Sequence, residues 1–438
     1  MIAKRDVFQK VLDKVPAYVL EIASAIERAG GRVYVVGGAV RDALLGIEPS
    51  DWDLGTTLEP VRVVSLFTSV ETDGIEFGRV RVSGVDVVSL RAEAGYLDRR
   101  HPSDVRMGAT IEEDLERRDF TVNAIALDLN SHEVVDPFKG QEDLDRRVIR
   151  TVGRPEDRFS EDPLRILRAF RLKAELGFNI APEVVEAARG LSRLISYVPG
   201  QRCFSEIEAI LLSHAACPAI LELWDAGILQ VMLPEIFPAS PSREGCSGRD
   251  TILYLGKTVG FCPESLPVRL AALFHMAPPG GWTEASRRFG LSSKVSSYVK
   301  SLLQGVPTGV ADQPGYTVRK IVKEGGPERL RDLVALEIAK SLAARGDPAP
   351  AEVVNLMEGI FSSRPYSPES YLKLKITGDE IMKEAGFRSG PELGEVIAYL
   401  EDAILRNPEL NTKEKLLLLT EEWRKNRVAE ARDEGEAK

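Results

Sequence analysis

Over the first ~150 residues, short apolar runs alternate with helix-like stretches. Arg32–Val36 (RVYVV) is β-branched and aromatic, ends in Gly37-Gly38, and predicts a strand. Ala39–Leu45 follows with helical spacing. A turn at Pro49-Ser50 then leads into a second predicted strand, Asp51–Leu54. Phe77–Val82 and Val85–Leu90 read as an antiparallel pair around Ser83-Gly84, and Ile125–Leu129 with Glu133–Val135 as a further hairpin. Residues 1–26 mix charge into an apolar period, which predicts an amphipathic helix and not a signal peptide. After residue ~150 the strand signals stop. Leu164, Leu167, Ala169, Phe170 and Leu172 recur at helical spacing, and that period dominates to the end. Pro-, Gly- and Ser-rich breaks fall near 236–249, 276–281, 305–315 and 345–350. The pattern predicts an α+β chain: an N-terminal part with a mixed β-sheet, followed by an all-helical remainder.

The 438 residues fit about three domains. A net charge of −10 excludes a uniformly basic nucleic-acid coat but leaves room for a local basic patch. From Arg146 to Lys173 nine basic residues face four acidic ones, a surplus suited to RNA or a triphosphate. No run reaches the roughly 18 apolar residues of a membrane-spanning helix. The four cysteines, Cys203, Cys217, Cys246 and Cys262, form no CxxC pair and suit a reducing cytoplasm. Four scattered histidines cannot build a metal site, so any divalent ion must rest on carboxylates.

Two stretches carry chemistry. In the first, Gly37-Gly38-Ala39-Val40-Arg41-Asp42 joins a strand to a helix, and Asp51-Trp52-Asp53 lies shortly downstream. Residues i and i+2 of a strand share a face, so Asp51 and Asp53 present paired carboxylates, which repel unless a cation sits between them. Hard oxygen ligands select Mg²⁺, and the Gly-Gly turn lets backbone N–H groups approach an anion. Arg41, one helical turn on, is placed to hold a triphosphate. The combination describes metal-assisted phosphoryl or nucleotidyl transfer; the alternative is a solvated turn after Pro49. Asp86, in the next strand, is a candidate third carboxylate that takes the proton from an attacking hydroxyl, or a plain hairpin residue beside Gly84.

In the second, Arg158–Arg171 (RFSEDPLRILRAFR), Ser160 is the expected N-cap and Pro163 sits in the first turn. Asp162 and Arg165 are then neighbours on one helix, with Arg168 and Arg171 further round. A carboxylate acceptor beside a guanidinium donor complements the Watson–Crick edges of cytosine and adenine and mismatches guanine and uracil. Arg168 and Arg171 are placed to reach phosphate or ribose. The alternative is an amphipathic helix with i,i+3 ion pairs and a solvated basic face.

Together these residues resemble the class II tRNA nucleotidyltransferases, the bacterial CCA-adding enzymes and their poly(A) polymerase relatives. GGAVRD at 37–42 with DWDLGT at 51–56 looks like the family's metal-binding motif. RAEAGYLDRRHP at 91–102 is similar to its ribose-contacting segment, with Glu93 where the strictest form has Asp. ERRDFTVNAIALDL at 116–129 looks like the hinge motif, carried by Arg117, Arg118, Asp119 and Asn123. EDPLRILRAFR at 161–171 resembles the amino-acid template that selects C and A. Arg202 and Glu206 fit the fifth motif, and PELGEVIAYL and Asn411-Thr412-Lys413 the tail.

The resemblance implies a nucleotidyltransferase head (1–150), a neck (151–235), a body (236–345) and a tail (346–438). It implies addition of C, C and A to tRNA 3′ ends from CTP and ATP. Asp51 and Asp53 then bind Mg²⁺, while Gly38, Arg41 and Arg118 hold the triphosphate. Asp162 and Arg165 read the base, and Arg168 and Arg171 complete the pocket. Gly37, Arg91, Asp119 and Asn123 belong to the same nucleotide-binding set. An enzyme adding only the terminal A, or a catalytically silent RNA-binding relative, are the alternatives. Some relatives carry a His-Asp phosphohydrolase pair; here Met276 follows His275, which predicts no such activity. Lys294, Lys300, Arg319 and Lys320 are either RNA contacts or solvated surface.

Overall fold

A computed structural model describes residues 4–96, 102–236, 248–306, 314–344, 357–360 and 368–436. The chain divides into two compact units, 1–256 with 277–291, and 257–276 with 292–438.

The first unit holds the expected mixed sheet. Its strands are β1 (Val33–Val36), β2 (Asp53–Thr56), β3 (Val70–Glu71), β4 (Arg79–Val82) and β5 (Val85–Ser89). β6 (Arg91–Tyr96) and β7 (Pro102–Met107) form a separate hairpin, and β8 (Ala126–Asp128) and β9 (Glu133–Val135) complete the sheet. The order is β3-β4-β5-β2-β1-β8-β9, antiparallel except where β2 runs parallel to β5. β1 is buried along its whole length, as a central strand covered on both faces must be. Tyr34, Val36, Leu90, Leu115 and Ala126 form the core beneath it. Ser83 (φ 51°) and Gly84 (φ 85°) make the two-residue β4–β5 turn, whose paired positive φ angles match the right-handed strand twist.

Several boundaries differ from expectation. The second strand begins at Asp53, not Asp51. Pro16 splits the N-terminal segment into Lys4–Leu12 and Ala17–Arg28. The single helix expected from Ser160 is two helices, Pro155–Glu161 and Leu164–Leu176. Pro163 forces the residue before it out of the helical region, and Asp162 is extended at φ −140°, ψ 100°. Ser160 therefore lies inside the first helix and is not an N-cap. Asn179–Ile180 also pairs with Val148–Ile149, a two-residue parallel ladder too short to leave a sequence signal.

The second unit's described elements are helices, among them Leu266–Phe274, Ser293–Leu303, Pro391–Arg406 and Lys413–Glu436. Arg319 is not a surface cation: it is buried and donates to the carbonyls of Leu405 (2.7 Å) and Arg406 (3.1 Å). Burial lowers the His275 imidazole to about 4, and its Nδ1 lies 2.7 Å from the Ala272 carbonyl. No described helix is long and apolar enough to cross a membrane. Cys246 and much of the breaks near 236–249, 305–315 and 345–350 lie outside the described residues.

Candidate active site

At the end of β1 the chain turns through Gly37 into the Gly38–Leu45 helix. Gly37 sits at φ 78°, ψ −139°, open mainly to glycine. A Cβ there would lie 2.9 Å from a terminal nitrogen of Arg118, so the turn also needs glycine for space. Arg118 thus stands over a helix N-terminus whose first N–H groups have no intrahelical partner. Its guanidinium donates to Asp114 Oδ2 (3.2 Å) and the Asn123 carbonyl (3.5 Å), while its buried Nε has no partner among the described residues. Cation and helix terminus together offer the chemistry that an anion needs.

Arg41 lies beside the start of the same helix. Its Nε and Nη2 donate to the two oxygens of Asp42 (2.8 and 3.0 Å), and its Nη1 to Asn123 Oδ1 (2.7 Å). Its sequence neighbour and the hinge segment thus fix the guanidinium, whose Nη2 would lie 3.5 Å from a Cβ at Gly38.

The carboxylates line up across the sheet. In register, Glu71 faces Arg81, Arg81 faces Asp86, Asp86 faces Asp53, and Asp53 faces Val36, next to the Gly37 turn. Exposed Asp51, buried Trp52 and half-buried Asp53 alternate, which puts both acids on one side although only Asp53 is in the strand. Burial pushes the Asp53 carboxyl up to about 6; Asp86 and Asp51 add to the shift, while Arg118 and Arg79 oppose it. No cluster of three or more metal-ligating side chains occurs among the described residues. Two carboxylates whose repulsion the nearby arginines only partly offset still fit Mg²⁺, which takes one or two protein carboxylates and completes its shell with water and substrate phosphates.

Asp86 departs from the role expected of it. Its oxygens are engaged by Arg81 Nε (2.8 Å) and Arg79 Nε (3.2 Å), leaving neither unengaged to face an attacking hydroxyl. The sequence reading missed these arginines. Their signal was the Arg-Val-Arg-Val alternation of β4, one tight turn before Val-Asp-Val-Val, which sets both on the polar face beside Asp86.

The base-reading candidates are brought close but paired otherwise than expected. Asp162 accepts the Leu164 N–H (3.1 Å) and Arg202 Nη2 (3.0 Å). Arg165 is buried and donates to Glu161 (2.6 Å) and to the carbonyls of Arg158 (3.3 Å) and Arg117 (3.0 Å). The helix break at Pro163 separates their side chains, so they form no ion pair with each other. Arg168 and Arg171 converge on Glu206, at 3.3 and 2.6 Å. Arg168 also reaches Asp119 (3.4 Å), whose other oxygen accepts from the Asn123 amide (3.2 Å) and the Phe120 N–H (2.8 Å). Burial raises the Asp119 carboxyl, but Arg168, Arg165 and these hydrogen bonds outweigh it and hold it low. Arg91 opens β6, opposite Met107; the rest of the ribose-contacting segment runs into residues 97–101, outside the described residues.

Comparison with known proteins fits this geometry. Residues 33–150 match the Poly A polymerase head domain, and 177–240 match a region described as "probable RNA and SrmB-binding site of polymerase A". The CCA-adding enzyme of Streptococcus pneumoniae R6 is 32% identical over 402 residues, covering 91% of this chain and 95% of that protein. The Bacillus subtilis CCA-adding enzyme is 40% identical over 216 residues, covering 48% of this chain and 54% of that protein. Among solved structures, the Bacillus stearothermophilus CCA-adding enzyme in complex with CTP has a TM-score of 0.72 at 28% identity, covering 94% of this chain and 98% of that one.

Proposed function

The chain belongs to the CCA-adding enzyme family, and on that premise we propose that it builds the CCA end of tRNA from CTP and ATP by metal-dependent nucleotidyl transfer. The observation that carries this reading is the position of Asp53, half-buried beside further carboxylates and one strand from the Gly37 turn under Arg118. Asp51 and Asp53 are the residues that would hold Mg²⁺, which supplies charge neutralisation on the reacting phosphate. The Gly38 helix N-terminus and Arg118 seat the triphosphate. Arg41 locks Asn123, and through it Asp119, at the floor of the same site.

Base choice rests on Asp162, held by Arg202, and on Arg165, held by Glu161. A carboxylate acceptor and a guanidinium donor fixed at the mouth of the Leu164–Leu176 helix match C and A. G or U would set its own carbonyl against the Asp162 carboxylate, acceptor against acceptor, which is the stronger basis of rejection. The tRNA 3′-hydroxyl attacks the α-phosphorus and pyrophosphate leaves, with positioning and electrostatics supplying most of the acceleration. The head, neck, body and tail division is proposed with this function; the two matched regions fall in its first two segments and across the start of the third. The cytoplasm is proposed as its location, in keeping with buried free thiols at Cys203 and Cys262.

The test is extension of a tRNA lacking its last three nucleotides. CTP alone adds two residues, CTP with ATP adds three, and ATP alone adds none. Incorporation of ATP only onto a tRNA already ending in CC overturns full CCA addition in favour of A-only addition.

A further inference from the structure

Arg79 and Arg81 have no place in the reaction as described so far. Both lie on β4, two residues apart on one face, and each binds Asp86 through Nε. Among the described residues their terminal nitrogens have no partner, and the side chains are 47% and 42% exposed. Glu71, across the strand from Arg81, also acts on its charge from a distance. Both guanidinium groups meet Asp86, and Arg81 also feels Glu71 and Asp53, while Arg79 acts on Asp53. The Arg81 Nε hydrogen bond pre-orients its outer N–H fork, the geometry that recognises phosphate bidentately, while Arg79 is held beside it by charge.

The position gives this charge a meaning. Strands lie roughly 4.8 Å apart, so β4 sits about 10 Å to one side of β2, while β1 and the Gly37 turn lie about 5 Å to the other. The sheet thus carries cations on both sides of Asp53: Arg118 toward β1, Arg81 and Arg79 toward β4. In-line displacement at phosphorus sets the attacking and leaving oxygens on opposite sides of the reacting atom. If the pyrophosphate departs on the Arg118 side, the attacking hydroxyl arrives from the β4 side. We propose that Arg79 and Arg81 form a phosphate site for the acceptor strand, gripping the backbone phosphodiester next to the tRNA 3′-hydroxyl. Asp86 is its positioning residue, holding both forks in place. The proposal rests on the nucleotidyl-transfer reading above and adds a substrate subsite to it.

The same phosphate chemistry is offered by the nucleoside triphosphate, and the experiment separates the two sources. Steady-state ATP addition is measured on tRNA ending in CC, with wild type and an Arg79→Gln/Arg81→Gln variant. The last internucleotide linkage of the tRNA is either natural or a neutral methylphosphonate. The variant is expected to raise KM for tRNA about tenfold with KM for ATP within about twofold. The methylphosphonate is expected to weaken wild type by a similar factor and the variant not further, because both changes remove one contact. An equal methylphosphonate loss in both proteins, or a rise in KM for ATP in place of tRNA, overturns the proposal. An Arg79→Lys/Arg81→Lys variant, which keeps the charge but not the fork, covers misfolding of the glutamine variant: whatever tRNA affinity it keeps must still be lost on the methylphosphonate. Wild type that extends no tRNA defeats the functional reading itself, independently of the subsite.

Discussion

Asp53→Asn removes a charge that the metal-free enzyme holds at a disadvantage. The Asp53 carboxyl is raised from 3.8 to about 6 by burial, then by Asp86 and Asp51. That shift is worth about 3 kcal/mol against the folded state when the group is ionised. For an acid whose native pKa is raised, the stability associated with the protonated form is fully present below the unfolded value near pH 4. It is lost as pH rises through about 6, so the penalty is complete above pH 6. The asparagine variant escapes it. In EDTA at pH 8, Asp53→Asn should be more stable than wild type by about 3 kcal/mol, and the gap should close as pH falls toward 4. Trp52, buried next to the substituted position, gives a fluorescence reading of this region's unfolding. Added Mg²⁺ should raise the wild-type midpoint and leave the variant's unchanged, and incorporation by the variant should be lost. A variant no more stable than wild type at pH 8 without metal, or equal stabilisation of both proteins by Mg²⁺, refutes the assignment of Asp53 as a ligand kept under like-charge repulsion.

Three further substitutions probe the rest of the site. Arg202→Ala frees Asp162, and misincorporation of UTP relative to CTP should rise about tenfold, read by competition on tRNA lacking CCA; unchanged selectivity would mean that Asp162 needs no anchor. Glu206→Gln leaves Arg168 and Arg171 around a neutral acceptor in a buried position, which should cost about 3 kcal/mol in chemical denaturation. Gly37→Ala imposes a Cβ at positive φ and against Arg118, costing about 1–3 kcal/mol and raising KM for CTP and ATP severalfold with the tRNA KM preserved.

What could be read beforehand divides along a physical line. Features fixed by local chemistry were legible. The β-branched run at Val33–Val36, the Gly37 turn, the two-residue hairpin at Ser83-Gly84 and the Asp-x-Asp alternation each depend on residues within a few positions of one another. The Pro163 break was legible too, because a proline pushes its predecessor out of the helix; the expectation went astray by weighing Pro163 as a helix start and not asking what it does to Asp162. What sequence could not supply was the choice among partners. Arg41 goes to Asp42 and Asn123, Arg165 to Glu161 and two carbonyls, and Asp162 to Arg202 forty residues away. In a stretch crowded with arginines and acids, many pairings are electrostatically equivalent on paper. Only the packing of helices against the sheet decides which of them can reach.

Those choices explain why the site departs from a simple division of labour. Arg41, Asn123, Asp119, Arg168, Glu206 and Arg171 are joined in one unbroken series of hydrogen bonds and ion pairs, from the helix after the Gly37 turn to the helix that carries Arg165. Charges buried in such a series are interdependent, since removing one member leaves its neighbours without compensation. Residues that seemed in sequence to touch phosphate, hinge and base as separate groups are therefore one electrostatic unit. On the proposed reading, the groups that meet substrate lie at its edges: Arg118 over the glycine turn, the Asp53 carboxylate, Asp162 and Arg165 at the start of the next helix, and the outward forks of Arg79 and Arg81.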